Sequence, residues 1–335
     1  MKTACRIALS ALVALLTCAC VKDETPDYGD RDCIRILMDP SGIGDGGYND
    51  FIYKGAVGIW SSFSKYIPVS IATPDNLQQA EQIVSQWLRE IDAEHGGKHL
   101  LVFASSIYEA LCLEVAQSID TKEVDLLLFE SDYTGPMPLH CFSTCLYGAC
   151  WLSGALAADA GVHSPSLLMA NPMDEGLLEA AQGFSDGFAA CPERVYLSEE
   201  KGSGYAQSFD AYTACGLLVR SHDYIFPLAG GSNSGVYRFL RENPKGVYTA
   251  GMDSDKSREC SAVMSNVIKR MDLLVAKVLR DWIEKGSLPD GQVYGLQSGY
   301  VECTLSYNYS QMLVPSYNNR INEALSKEYE HLSKH

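Results

Sequence analysis

The chain has 335 residues, 47% of them apolar and 20% charged, with a formal net charge of −16. That length and apolar content fit two lobes of ordinary size, and no apolar run after the first twenty residues is long enough to cross a bilayer. The negative charge repels nucleic acid and anionic lipid and disfavours a polyphosphate ligand, so no nucleic-acid partner is expected.

In chain order, Lys2 and Arg6 precede an apolar run from Ile7 to Leu16, too short for a membrane span and of the length of a signal-peptide core. Residues 1–19 are therefore expected to be a lipoprotein signal peptide. The segment Leu16-Thr17-Cys18-Ala19-Cys20 resembles the lipobox at which bacteria attach lipid to a cysteine. Cys20, preceded by the small Ala19, is the expected lipidation site, and Cys18 is the alternative. Loss of Lys2 and Arg6 would take the net charge to −18. Residues 20–31 read as a tether, in which Val21-Lys22-Asp23-Glu24 is similar to a sorting signal for the outer surface or is simply a solvated linker. The expectation is an exported protein that meets a bacterial membrane through its lipid anchor only, on the periplasmic side or the outer surface.

Beyond the tether the chain alternates. Short apolar runs at Ile34 to Met38, Val69 to Ala72, Leu100 to Ala104, Leu126 to Phe129, Leu167 to Ala170, Tyr224 to Leu228 and Gly246 to Gly251 predict strands. The segments between them carry helical periodicity. Gln78 to Ile91 puts Ala80, Ile83, Val84, Trp87, Leu88 and Ile91 on one face. Asn171 to Ala190, Met264 to Ile283 and the closing stretch Asn318 to Lys334 read as helices too. This alternation implies an α/β fold with parallel sheets. Nine cysteines follow Cys20, an odd number that cannot all pair within one chain. Cys141, Cys145 and Cys150 lack CxxC spacing and have only His140 beside them, so buried thiols are expected rather than a metal site.

In such sheets ligands sit beyond the carboxyl ends of the strands, where loops enter helices. The first such loop, Asp39 to Asp50, is dense in glycine and ends in Tyr48, Asn49 and Asp50. Glycines permit tight turns and Tyr48 offers a flat face, while Asn49 or Asp50 can equally cap the helix that follows. A second, Ala229 to Gly235, lacks both the lysine-hydroxyl pair of a P-loop and the spacing of a dinucleotide fingerprint. A third, Gly251 to Asp255, offers Asp253, with Lys269 further on. A carboxylate beside an ammonium suits vicinal hydroxyls of a sugar, and surface charge at a turn is the alternative. No nucleophile elbow, no HExxH helix and no histidine occurs in these loops, so neither an enzyme nor a cofactor is expected.

Asp45-Gly46-Gly47-Tyr48-Asn49, with Tyr53-Lys54-Gly55 behind it, resembles the Asp-Lys-Ser-Phe-Asn and Tyr-Glu-Gly signature of the basic membrane protein (BMP) family of lipoproteins. These are substrate-binding proteins of ABC transporters, and characterised members bind purine nucleosides. Tyr147 to Ala158 is similar to the family's Gly-Ser-Tyr-Leu-Ala-Gly helix, and the likeness continues through Ala229 to Gly235, Gly251 to Asp255 and Val267 to Arg270. It covers roughly Ile34 to Glu302.

The resemblance implies a type I periplasmic-binding-protein-like fold of two doubly wound parallel-sheet lobes with a hinge. It places the crossings near Pro136, Asp255 and Gly291. The amino-terminal lobe would take 32–137 plus 256–290 and the carboxy-terminal lobe 138–255 plus 291–317, with a C-terminal helix over 318–335. It also implies that Tyr48 stacks on a base, Asn49 hydrogen-bonds it, and Asp253 and a helix-borne Lys269 hold the sugar. Unliganded, that lysine would pair with Asp253 or Asp255. Glu130 stands where the family has an aspartate, and Asp45 and Asn233 complete the ligand set in the interlobe cleft. Gly44 and Gly47 depart from the pattern. So does the second aromatic, which aligns near Ala180 or Ala181 and for which Phe184 is the nearby substitute. The partners implied are a nucleoside-like small molecule and an ABC permease, and a surface adhesin or sensor on the same scaffold is the alternative.

Overall fold

The computed structural model describes residues 31–335 apart from Ser64, Tyr66, Glu94, His95, Asp120, Thr121, Lys245 and His335. The signal peptide and the lipidation site at Cys20 lie outside the described residues. The chain opens with β1 (Cys33–Leu37), α1 (Tyr48–Phe63), β2 (Val69–Ala72), α2 (Leu77–Ala93), β3 (His99–Phe103), α3 (Glu109–Ser118), β4 (Val124–Phe129) and β5 (His140–Thr144). It continues with α4 (Tyr147–Asp159), β6 (Pro165–Met169), α5 (Glu175–Phe188), β7 (Glu193–Tyr196), α6 (Ser208–Leu218), β8 (Tyr224–Leu228), α7 (Asn233–Glu242), β9 (Tyr248–Met252) and β10 (Val263–Lys269). Last come α8 (Met271–Lys285), β11 (Asp290–Tyr294), β12 (Val301–Leu305) and α9 (Ser310–Leu332).

Two six-stranded sheets result. The first runs β2-β1-β3-β4-β5-β11 and is parallel throughout; the second runs β7-β6-β8-β9-β10-β12, with β12 antiparallel to β10. Central strands such as β1 and β3 are buried along their whole length, as strands covered by helices on both faces must be. In the first lobe α1 and α8 cover one face around Ile52, Val275 and Phe142, and α2 and α3 cover the other around Val84, Cys112 and Leu101. In the second, α4, α5 and α9 lie on one face and α6 and α7 on the other.

The lobes are doubly wound, but the crossings between them come later than the sequence suggests. β5 completes the first sheet through Cys141 and Phe142, so the chain crosses after Thr144 and not near Pro136. β10 belongs to the second sheet, so the second crossing lies at Arg270 and not near Asp255; β11 returns to the first sheet, so the third follows Tyr294 and not Gly291. The reason is that each strand finishes its ladder and buries its apolar side chains before the chain leaves. Phe142 packs against Phe129 with its ring tilted by 38° at 4.6 Å and meets Tyr294 edge-on at 5.8 Å. The expected helix Met264 to Ile283 is likewise a strand followed by a helix. No glycine or proline marks their junction at Arg270, and helical spacing happens to run through it.

Carboxylates hold the crossing segments. Glu328 of α9 is 1% exposed and accepts from the Leu296 and Gln297 amides at 2.9 and 3.0 Å, while Glu179 of α5 accepts from the Leu146 amide at 3.0 Å. Burial pushes the Glu328 carboxyl above its ordinary range. At the middle crossing Arg270 joins Asp272 and Glu302, both at 3.1 Å. α4 and α5 approach unusually closely through glycine: a Cβ at Gly187 would lie 1.9 Å from the Trp151 carbonyl oxygen. Among the described residues no helix is long and apolar enough to cross a membrane.

Candidate functional site

The β1-to-α1 loop is shaped by its own acids. Asp45 caps α1, its Oδ1 accepting from the Gly47 amide at 2.8 Å and its Oδ2 from the Asn49 amide at 2.9 Å. Asp50 reaches back to the Gly44 and Gly46 amides at 2.7 and 2.9 Å, so Asp50 braces the loop and the capping position is Asp45. Gly44 and Gly46 have φ of 100° and 62°, where a side chain is strained. This scaffold presents Tyr48, whose hydroxyl donates to the Ala104 carbonyl at 3.3 Å, and Asn49, which is 1% exposed. Burial, reinforced by Glu130, Asp39 and Asp253, pushes the Tyr48 phenol well above its ordinary range.

Three further groups converge on Tyr48 from other strand ends. Glu130 follows β4, Asp253 follows β9 and Lys269 ends β10. Lys269 is strand-borne, and its ammonium pairs with Glu130 across the lobes at 3.0 Å and lies 5.4 Å from the Tyr48 ring centroid. It pairs with neither Asp253 nor Asp255; Asp255 is exposed and takes the Ser257 amide at 2.9 Å. Glu130 also accepts from the Thr144 amide at 3.0 Å and from its hydroxyl at 2.8 Å. Burial would lower the Lys269 ammonium, but Glu130 and Asp253 outweigh it and hold it raised. Burial raises the Asp253 carboxyl, with Lys269 pulling the other way. Glu130 and Asp253 have left-handed φ of 56° and 64°, conformations that cost about 1–3 kcal/mol each and recur at functional sites. Among the described residues the Asp253 carboxylate accepts no hydrogen bond.

The second lobe holds a tyrosine that sequence reasoning did not single out. Tyr205, in the loop between β7 and α6, donates its hydroxyl to Asp174 at 2.6 Å, and a Cβ at Gly230 would lie 2.9 Å from its ring. Burial, then Asp174, then Asp39 from the other lobe push its phenol up. The available signal was a tyrosine after Gly202-Ser203-Gly204 at the carboxyl end of a strand. Phe184 does not take this position. It is fully buried in the second lobe, stacked on Phe226 at 4.3 Å, and Ala180 and Ala181 are buried beside it. Asn233 closes the second glycine-rich loop, its Oδ1 accepting from the Ala229 amide at 2.9 Å.

Tyr48, Asn49, Glu130, Asp253 and Lys269 thus come from both lobes to one place. Asp45 supports them from behind and Asn233 lies inside its own loop. The lobes are in contact here: the Gly46 carbonyl accepts from the Ser254 hydroxyl at 2.6 Å and the Lys256 ammonium at 2.9 Å. Eight of the nine described cysteines are buried, and no three metal-ligating side chains are grouped among the described residues.

The family described as Bmp, ABC transporter substrate-binding protein PnrA-like, matches residues 36–334. Basic membrane protein C of Borreliella burgdorferi is 23% identical over 303 residues, spanning 87% of this chain and 85% of that protein. Among solved structures, a solute-binding protein of an ABC transporter system from Aeropyrum pernix superposes with a TM-score of 0.68 at 16% identity, covering 89% of this chain and 86% of that one. A carbohydrate transporter from Acidothermus cellulolyticus in complex with myo-inositol gives 0.60 at 13% identity, covering 86% and 99%. These structures share the fold, and the family match extends over almost all of the described residues. The chain belongs to the Bmp family of ABC transporter substrate-binding proteins.

Proposed function

We propose that the protein is an exported, lipid-anchored receptor that closes its lobes on a nucleoside and presents it to an ABC permease. The observation that supports this most is the convergence of an aromatic ring at a helix start with two carboxylates on left-handed backbone and an ammonium at three strand ends, Tyr48 with Glu130, Asp253 and Lys269. In this reading Tyr48 stacks on the base and Tyr205 faces it from the other lobe. The Asp253 carboxylate accepts from ribose hydroxyls, and Lys269, oriented by Glu130, donates to the same sugar. Cys20 carries the lipid, so Cys20→Ala moves the protein from the membrane to the soluble fraction, and unchanged fractionation contradicts the anchor.

A thermal-shift screen of nucleosides, free bases and sugars tests the ligand class. A solute at about a thousand times its Kd adds roughly 4 kcal/mol to folding stability, a large rise in Tm. Nucleosides are expected to give the largest shifts. A sugar or free base that shifts Tm where no nucleoside does would refute the assignment.

A further inference from the structure

An asparagine amide ordinarily turns either its oxygen or its NH2 to a ligand, whichever the ligand needs. Asn49 lacks that freedom. Its NH2 donates to the Ser41 hydroxyl oxygen at 2.9 Å, and the Ser41 hydroxyl donates to Asp39 Oδ1 at 2.6 Å. Asp39 is further tied by the Ser41 amide at 2.9 Å, and the Asn49 amide by Asp45 at 2.9 Å, so the three residues are fixed relative to one another.

The direction of this chain follows from donor counting. A carboxylate only accepts, so the contact with Asp39 takes the single proton of the Ser41 hydroxyl. Ser41 then has only lone pairs left for Asn49, and the NH2 must face it. Turning the amide over would set two acceptor oxygens 2.9 Å apart. What remains is Asn49 Oδ1, buried and without a partner among the described residues. A buried acceptor left unmet destabilises its surroundings, and a ligand donor relieves that.

We propose that Asp39 and Ser41 are positioning residues that lock Asn49 as an acceptor, so that the site selects a heterocycle bringing an N–H to that amide. This rests on the nucleoside reading and specifies which base edges it takes. Adenosine, through its exocyclic amine, and inosine, through its ring N–H, carry such a donor. Purine riboside has the same skeleton but offers only ring-nitrogen acceptors on that edge.

Calorimetric titration of the purified protein with adenosine, inosine and purine riboside, repeated on Ser41→Ala and Ser41→Thr, tests the proposal. The better of adenosine and inosine should bind the parent at least tenfold tighter than purine riboside. In Ser41→Ala the freed amide can offer its NH2 to a ring nitrogen, so the gap should shrink below threefold, mainly through tighter binding of purine riboside. Ser41→Thr keeps the hydroxyl and should keep the gap. Purine riboside within threefold of both donors in the parent, or an undiminished gap in Ser41→Ala, overturns the proposal while leaving the receptor reading intact. If none of the three binds, the nucleoside reading falls and this inference falls with it.

Discussion

Two glycine-rich loops follow a strand and enter a helix, Asp39 to Gly47 in one lobe and Ala229 to Ser232 in the other, and they do different work. In the first, Asp45 and Asp50 satisfy the loop's own amides, which leaves the Tyr48 ring and the Asn49 side-chain oxygen uncommitted to the loop backbone. In the second, side-chain oxygens brace the loop itself. Asn233 closes on Ala229, Ser232 donates its hydroxyl to the Gly204 carbonyl at 2.7 Å, and Gly230 makes room for the Tyr205 ring. Glycine density therefore marks a place where backbone must turn tightly. Which side chains remain available after the backbone is satisfied decides whether that place can bind anything.

The contrast yields predictions of decreasing size. Gly47 faces the other lobe so closely that a Cβ there would lie 2.9 Å from the Asp253 Cβ. Gly47→Val should wedge the lobes apart at a cost of about 1–3 kcal/mol, lowering affinity by up to roughly a hundredfold. Small-angle scattering should show a larger radius of gyration with ligand than the parent gives. Asn233→Ala should instead cost about 1 kcal/mol in chemical denaturation, because the Ala229 amide loses its acceptor, with affinity nearly unchanged. A tenfold loss of affinity in that variant would erase the distinction between the loops.

Much of this was legible in the sequence, and the gaps have physical causes. The strands of continuous apolar residues stood out because burial on both faces demands them, as in β4 and β8. β7 and β11 escaped notice because they are edge strands, where Glu193 and Gln292 are exposed and alternation is weak. Tyr48 and Asn49 announced themselves by opening the helix after a glycine-rich loop, and Asp253 by following a strand. The roles of Asp45, Asp50 and Asn233 did not, because a short polar side chain beside a helix start serves the backbone or a ligand with the same sequence appearance. Tyr205 was obscured by its loop, which carries no apolar period and whose charged residues, Glu199, Glu200 and Lys201, lie before the glycines and read as an ordinary solvated turn.

A smaller effect concerns pH. Since burial raises the Asp253 carboxyl above the ordinary carboxylate range, it takes up a proton sooner as pH falls, and with its charge goes the acceptor for the ligand hydroxyls. Affinity should therefore be full near neutrality and weaken on acidification, beginning at a higher pH than an ordinary aspartate, near 3.9, would require. Asp253→Asn should bind weakly and remove that part of the dependence, as titrations across pH would show. Smallest of all, Tyr48→Phe should change affinity by less than about threefold, since it keeps the ring face and gives up only a long hydroxyl contact.

The central claim is that Tyr48 and Asp253, from opposite lobes, grip one nucleoside. Isothermal titration calorimetry on Tyr48→Ala and Asp253→Ala, each first shown by circular dichroism to be folded, tests it most directly. Loss of stacking area in one and of charge-assisted hydrogen bonds, about 1.5–3 kcal/mol each, in the other should weaken binding at least tenfold in both. If both variants bind the nucleoside like the parent, the ligand does not sit between these lobes.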